Sequence, residues 1–232
     1  MELTETGIRG FDKFVEGGFP KGSSILISGS PGTGKTIFGI EFLHNGAIKY
    51  DEPGLYVSFE QRKDAIKAQA KQFNWDLEKL EKGKKIVIWD LPATLIEKNT
   101  ADRIIKVIKE NNIKRVVIDS LSTITFNTPT IRAEIRDIGD VAIKRFVYSF
   151  ISKLKETGAT ILLISQNRND GSLTIDGVSE FICDGIINLK FQPMGGRFSR
   201  SLIIQKMRRR KNDEELHPIE ISKKGIVVHS LE

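Results

Sequence analysis

Short apolar runs rich in β-branched residues recur along the chain, and segments with helical spacing lie between them. The runs are continuous rather than alternating, which is typical of strands buried on both faces of a parallel sheet. Parallel strands need crossover connections, and right-handed crossovers put helices on both faces of the sheet. The pattern therefore predicts an α/β fold with a mostly parallel, twisted sheet. The runs are SSILISG (23–29), LYVSFE (55–60), KIVIWD (85–90), RVVIDS (115–120) and TILLISQ (160–166), and the helical segments are 36–50, 62–75, 100–112 and 141–158.

The pattern changes after Ile186, where strands follow one another without helices. GIINLKF, a turn at QPMGGRF and then SLIIQKM predict one hairpin, and IEIS with GIVVHS predicts another. The 232 residues contain no low-complexity linker and no repeat. We therefore expect a single domain over residues 1–232, with a C-terminal antiparallel β-hairpin extension.

The composition, 39% apolar and 28% charged, is typical of a soluble globular protein. No apolar window is long enough to span a membrane, and MELTETGIRG does not have the pattern of a secretory signal. We therefore expect a cytoplasmic protein without a membrane partner. The single cysteine, Cys183, lies in FICDGIINL, which predicts a buried thiol in a strand.

The net charge of +6 is concentrated near the C-terminus, because the segment from Arg197 to Lys224 carries nine Lys or Arg and four Asp or Glu. The rest of the chain is close to neutral. Any argument for a nucleic-acid surface must therefore rest on this C-terminal segment.

The segment GSPGTGKT follows the first apolar run and matches the phosphate-loop pattern G-x-x-x-x-G-K-[ST]. Glycines there allow backbone angles that a Cβ forbids, so successive N–H groups turn inward around a phosphate. The helix that follows directs its positive end at the same point. Lysine then neutralises the outer phosphates, and the threonine hydroxyl binds Mg²⁺. The predicted nucleotide-binding residues are Ser30, Pro31, Gly32, Thr33, Gly34, Lys35 and Thr36.

Three polar side chains end other apolar runs. Asp119 is in the position of a carboxylate that steadies Mg²⁺, so Thr36 and Asp119 are the predicted metal ligands. Glu60 either orients or deprotonates water at the γ-phosphate, or is a solvated residue that opens the next helix. Gln166 either senses the γ-phosphate or caps a loop, and the spacing leaves both roles open.

A set of further segments lies between Thr6 and His229, namely GFDKFVEGGFPKG, the phosphate loop, DEPGLYVSFE, RVVIDS, DGVSEFICDGIINL and the KMR of LIIQKMRRRKND. Over these residues the chain resembles the KaiC branch of the RecA-like ATPases. The resemblance implies a RecA-like domain that binds ATP with Mg²⁺ at the interfaces of a homo-oligomeric ring, usually a hexamer. It also implies catalytic roles for Glu60, Lys206 and Arg208. We further expect Lys35 to be catalytic and Gln166 to be a nucleotide-binding residue.

Glu60 matches the first residue of a glutamate pair that activates water in that family, whereas Gln61 stands where the family has the second glutamate. Lys206 and Arg208 match cations that reach the γ-phosphate of a neighbouring subunit. Glu180 and Phe181 occupy the place of a phosphorylated Ser-Thr pair, so no autokinase activity is predicted. The resemblance does not account for Arg209, Arg210 and Lys211.

Three functions remain open on the sequence. The first is a ring ATPase whose slow hydrolysis changes its conformation for an unidentified protein partner. The second is a RecA-like motor or recombination factor that acts on DNA or RNA. It is less favoured because the predicted pore loops, 121–137 and 167–184, have net charges of zero and −3. The third is a nucleotide-gated scaffold with negligible turnover.

Two other functions are excluded by the sequence. A GTPase is excluded because QNRND is not an N-K-x-D guanine reader. A small-molecule kinase is excluded because the chain has no arginine-rich lid between its strands.

Overall fold

A computed structural model describes residues 1–129, 136–167, 172–191 and 199–230, and the side chains of 136–140 are not described. Within these ranges each predicted strand and helix is present, with ends that move by a few residues. The strands are β1 (Leu3–Thr4), β2 (Phe19–Pro20), β3 (Ser24–Gly29), β4 (Gly54–Ser58), β5 (Ile86–Asp90), β6 (Arg115–Asp119), β7 (Thr160–Gln166), β8 (Gly185–Phe191), β9 (Arg200–Met207), β10 (Leu216–Ser222) and β11 (Gly225–Val228). The helices are α1 (Lys35–Lys49), α2 (Lys63–Lys71), α3 (Leu77–Lys82), α4 (Thr100–Glu110), α5 (Leu121–Phe126), α6 (Arg136–Lys155) and α7 (Ser179–Ile182), with 3₁₀ turns at Asp12–Val15 and Ala93–Leu95.

The large sheet has the strand order β11-β10-β9-β8-β3-β7-β6-β4-β5. From β5 to β8 all neighbouring strands are parallel, and from β8 to β11 they are antiparallel. The mostly parallel sheet and both C-terminal hairpins are therefore confirmed. The predicted hairpin turn at 192–198 lies outside the described residues.

Helices cover both faces of the sheet because each parallel strand is apolar on both sides. Ile25 and Ile27 of β3 pack into the core under α1 and α2, whereas Leu26 faces the core under α4 and α6. This arrangement matches the continuous apolar runs of the sequence. The carboxyl ends of β3, β4, β6 and β7 consequently meet at one edge, where the polar residues that end each run come together.

The segment before β3 packs against α1. The Phe11 ring meets the Phe38 and Phe19 rings edge-on, with centroid separations of 5.4 and 5.6 Å. The N-terminal segment also joins the far end of the sheet, since the Val228 amide donates to the Arg9 carbonyl at 2.9 Å. These contacts hold α1, and thus the loop in front of it, against the C-terminal hairpin. No helix in the described part of the chain is long and apolar enough to cross a membrane.

Candidate functional site

The loop between β3 and α1 has the backbone that its glycines predict. Gly32 and Gly34 have φ angles of 79° and 107°, both in the region that favours glycine. Gly34 is the N-cap of α1, so the positive end of a 15-residue helix lies directly behind the loop. Thr33 tightens the turn by donating from Oγ1 to the Ser30 carbonyl at 2.8 Å.

Lys35 lies back over this loop. Its Nζ donates to the Gly29 and Ser30 carbonyls at 2.7 and 2.9 Å, and the residue is 8% exposed. Burial lowers the pKa of Lys35, while the nearby Asp119 and Glu60 charges oppose that shift. Among the described residues no carboxylate comes within 4.0 Å of the ammonium. A buried cation whose partners are carbonyl groups fits an anionic ligand such as a phosphate.

Asp119, at the end of β6, lies beside Thr36. The Thr36 hydroxyl and the Tyr56 hydroxyl both donate to its Oδ2, at 2.9 and 2.6 Å. Burial raises the pKa of Asp119, and both hydrogen bonds lower it. A hydroxyl and a carboxylate are the hard oxygen donors that Mg²⁺ prefers, and magnesium sites often use one carboxylate together with phosphate oxygens. The pair therefore fits Mg²⁺, although the described residues contain no cluster of three His, Cys, Asp or Glu side chains.

Glu60 was predicted to end a strand, but β4 ends two residues earlier, at Ser58. Ser58 is level with Asp119 in the sheet, and the chain then turns outward. The Glu60 side chain is exposed, but its Oε1 accepts hydrogen bonds from the Ser120 hydroxyl at 2.9 Å and from the Thr123 hydroxyl. These bonds hold the carboxylate beside Asp119, and α2 begins only at Lys63, with Arg62 as its N-cap.

Gln166 ends β7 and is level with Gly29 of the phosphate loop. Its backbone N–H donates to the Ser122 hydroxyl at 2.8 Å, and its side chain is half-buried. Gln166 thus lies at the same sheet edge as the loop, Asp119 and Glu60. A cleft next to Glu60 is lined by acidic and basic groups that include Arg62, Asp64 and Asp90.

Lys206 and Arg208 lie at the opposite end of the strands from the phosphate loop, where the parallel strands begin. Met207 is level with Gly185 in β8 and, through it, with Ile25 near the start of β3. The four steps from Ile25 to Gly29 span about 13 Å at ~3.3 Å per residue. Lys206 Nζ donates to the Glu180 carbonyl and Arg208 Nη2 to the Phe181 carbonyl, both at 2.9 Å. Within one chain these two cations are therefore not part of the site at the phosphate loop.

The rest of the basic tract is partly paired within the chain. Arg210 forms an ion pair with Glu16 at 3.1 Å, which fastens the turn after β9 to the N-terminal 3₁₀ turn. Arg209, with a φ of 67°, lies 4.0 Å from Asp184. Lys211 is exposed. These contacts give Arg210 a structural explanation that the sequence did not supply.

Cys183 is fully buried, as predicted, but it lies between α7 and β8 rather than in a strand. Burial, with the Asp184 charge, raises the pKa of its thiol to about 12. A thiol in this state does not act as a nucleophile.

Two sets of residues near the site were not predicted from the sequence. The hydroxyls of Tyr56, Ser120 and Thr123 hold Asp119 and Glu60, and the run Ser-Leu-Ser-Thr directly after Asp119 was an available signal. Ile221 and Phe191 pack against the loop glycines, because a Cβ on Gly34 would lie 3.2 Å from Ile221 and one on Gly32 would lie 3.5 Å from Phe191. These contacts join residues far apart in the chain, and no local pattern indicates them.

Known proteins share the sequence family and the fold of this chain. The family model described as "ATPase: KaiC" matches residues 4–232. A solved structure of a KaiC-like protein from Pyrococcus horikoshii superposes with a TM-score of 0.85 at 36% identity, covering 99% of both chains. A UPF0273 protein of Methanocaldococcus jannaschii is 34% identical over 99% of this chain and 97% of its own length.

The circadian clock oscillator protein KaiC of Synechococcus elongatus is 33% identical over 97% of this chain but only 44% of its own length. The chain thus spans less than half of the clock proteins and nearly all of the UPF0273 relative. With the family model covering almost every residue and the RecA-like sheet carrying the phosphate loop, the chain belongs to the KaiC family of RecA-like ATPases.

Proposed function

We propose that this protein binds ATP with Mg²⁺ and hydrolyses it slowly, at a site that a second copy of the chain completes in a ring, with a hexamer as the expected size. The observation that carries the proposal is the buried Lys35 ammonium, which has carbonyl partners and lies between a glycine loop and the Thr36–Asp119 pair. The nucleotide state of the ring would set its conformation and so its affinity for a protein partner.

Each residue of the site has a role that its surroundings support. The loop amides from Ser30 to Gly34 and the Lys35 ammonium would bind the phosphates. Thr36 and Asp119 would hold Mg²⁺, which when bound supplies positive charge next to the phosphate oxygens. Glu60 would accept a proton from the water that attacks the γ-phosphorus while the bond to the ADP oxygen breaks. Gln166 would contact the γ-phosphate from the end of β7.

The remote position of Lys206 and Arg208 supports completion of the site by a neighbouring copy. These cations lie one strand length from the loop of their own chain, so they act on a phosphate only in trans. A cation supplied across an interface neutralises charge that develops on the transferring phosphoryl group. Hydrolysis would then depend on assembly.

Two different surfaces of the chain have the complementary chemistry that a head-to-tail contact requires. One surface carries Lys155 and Arg208 beside two exposed aromatic residues, Phe181 at 72% and Tyr148 at 56% exposure. The other is the cleft at Glu60, where, among the described residues that line it, the three carboxylates of Glu60, Asp64 and Asp90 outnumber the one cation, Arg62. Opposite charges on unlike surfaces favour a ring or filament over a two-fold dimer.

The basic tract gives little support to a motor that acts on nucleic acid. Arg210 is paired with Glu16, and Arg209 lies 4.0 Å from Asp184. Phosphate backbones bind to cations that are free of such partners. The predicted pore-loop residues 130–135 and 168–171 lie outside the described part of the chain.

Substitution at the site tests the chemistry. Lys35→Ala should abolish ATP binding because it removes the cation of the loop, and calorimetry with ATP and Mg²⁺ measures this. Glu60→Gln should bind ATP normally and lower turnover at least about tenfold, the usual scale for loss of a general base. Unchanged ATP affinity in Lys35→Ala would refute the assignment of the phosphate loop.

Mixed subunits test the shared site. Arg208→Ala and Lys35→Ala proteins should each be inactive, whereas their mixture should regain activity at interfaces that combine an intact loop with an intact arginine. Mass in solution with and without ATP, and the ATPase rate with and without single-stranded DNA, complete the test. A monomer that hydrolyses ATP despite Arg208→Ala contradicts the proposal, and several-fold stimulation by DNA favours the motor.

A further inference from the structure

The first turn of α5 holds the Glu60 carboxylate. Ser120 is the N-cap of α5, and its Oγ accepts from the Thr123 N–H at 3.3 Å while it also donates to Glu60. The Thr123 hydroxyl donates to the same Glu60 oxygen. Ser120 and Thr123 are 3% and 8% exposed, whereas Glu60 itself is exposed. Two buried hydroxyls on a capped helix therefore fix a carboxylate that is otherwise free to rotate in water.

These bonds leave one carboxylate oxygen available. Both hydroxyls bind Oε1, and no donor within the described ranges binds Oε2. A carboxylate held by one oxygen presents the other in a single direction, which is what a general base needs to meet a water in line with a phosphorus atom. The bonds also tie the position of Glu60 to α5 rather than to its own loop.

The same helix contacts the neighbouring strand. Ser122 lies between Ser120 and Thr123, and its Oγ accepts from the Gln166 N–H at 2.8 Å. The short helix α5 thus bonds on one side to Glu60 and on the other to the end of β7. The distance between the proposed base and the proposed γ-phosphate contact is set by this helix.

We propose that Thr123 is a positioning residue for hydrolysis, which orients Glu60 from the first turn of α5 through its hydroxyl. This inference rests on the proposed function, since it concerns the reaction in which Glu60 is the base. It assigns no contact between Thr123 and ATP. The residue acts through Glu60, so its removal affects turnover and not nucleotide affinity.

The test uses near-isosteric substitutions in the full chain, assayed with ATP and Mg²⁺. Thr123→Val removes the hydroxyl and should lower kcat on the order of tenfold, with the ATP Kd unchanged. Thr123→Ser keeps a hydroxyl at the same place and should restore most of the turnover. Thr125→Val is the matched control, because Thr125 is a buried threonine of the same helix whose hydroxyl bonds to the Leu121 carbonyl at 2.9 Å.

A double substitution separates positioning from a general loss of structure. In a Glu60→Gln background Thr123→Val should cause little further loss, because the group that it orients is already absent. The inference is overturned if Thr123→Val keeps wild-type kcat, if Thr125→Val lowers kcat equally, or if the tenfold loss persists in full beside Glu60→Gln. If Glu60→Gln itself turns over ATP at the wild-type rate, the proposed base is wrong and this inference fails with it. A Glu60→Gln defect without a Thr123→Val defect refutes the inference alone.

Discussion

Glu41 should contribute to the pH dependence of this protein's stability, and replacing it with glutamine should remove that contribution. Glu41 lies on α1, is 5% exposed, and accepts a hydrogen bond at Oε2 from the Ile226 N–H at 2.7 Å. Gly225 covers the carboxylate so closely that a Cβ there would lie 2.6 Å from Oε2. Burial raises the pKa of Glu41 from 4.5 to about 7, against the Ile226 hydrogen bond and the charges of Lys49 and Arg9.

Proton linkage gives the direction and the size of the effect of pH on the free energy of unfolding. Because the folded pKa is the higher one, the folded protein takes up a proton between about pH 7 and 4.5 while the unfolded chain stays ionised. The contribution to stability is therefore fully present below pH 4.5 and is lost as the pH rises through about 7. At about 1.4 kcal/mol for each tenfold change in proton affinity, the free energy of unfolding changes by about 3 kcal/mol.

This effect is measured by urea unfolding of the wild type and of Glu41→Gln, at pH values about one unit apart between about 4 and 8. The difference between the two free energies of unfolding should shift by about 3 kcal/mol across that range, in favour of the wild type at low pH. Glu214→Gln, an exposed residue after β9, controls for the loss of one charge. A difference between wild type and Glu41→Gln that stays flat with pH would refute the reasoning.

Three further predictions concern other parts of the structure. Arg210→Ala should lower the free energy of unfolding by about 1 kcal/mol because it breaks the ion pair with Glu16, whereas Lys211→Ala should leave it unchanged, as urea unfolding would reveal. Gly34→Ala should weaken ATP binding in calorimetry, since a φ of 107° strains any residue with a Cβ and that Cβ would lie a tight 3.2 Å from Ile221; wild-type affinity in that variant would contradict this account of the loop. Cys183 should react with iodoacetamide only after unfolding, as followed by mass spectrometry, and rapid labelling of the native protein would show that the thiol is accessible.

The strands, the helices and the phosphate loop were predictable because the signals for them are local. Continuous β-branched runs indicate strands buried on two sides, and the loop carries its glycines at positions that need unusual backbone angles. The buried state of Cys183 was also predictable from its apolar neighbours, while its place outside a strand was not. Local composition indicates burial better than it indicates where a strand begins.

Glu60 illustrates what a strand pattern leaves open. The run LYVSFE predicts a strand that ends on Glu60, but β4 ends at Ser58 and the carboxylate is held by hydroxyls from the segment after β6. Those partners lie about sixty residues further along the chain. Spacing within one run carries no information about them.

The sequence by itself determined the class of fold and the identity of the phosphate loop, since periodicity and glycine placement act over a few residues. Only the tertiary structure decided that Lys206 and Arg208 lie a strand length from their own loop, that Arg210 is paired with Glu16, and that α5 holds Glu60. These outcomes depend on strand order and register, because these decide which distant residues are brought together and which are kept apart. The role of a side chain then depends on the charged groups next to it.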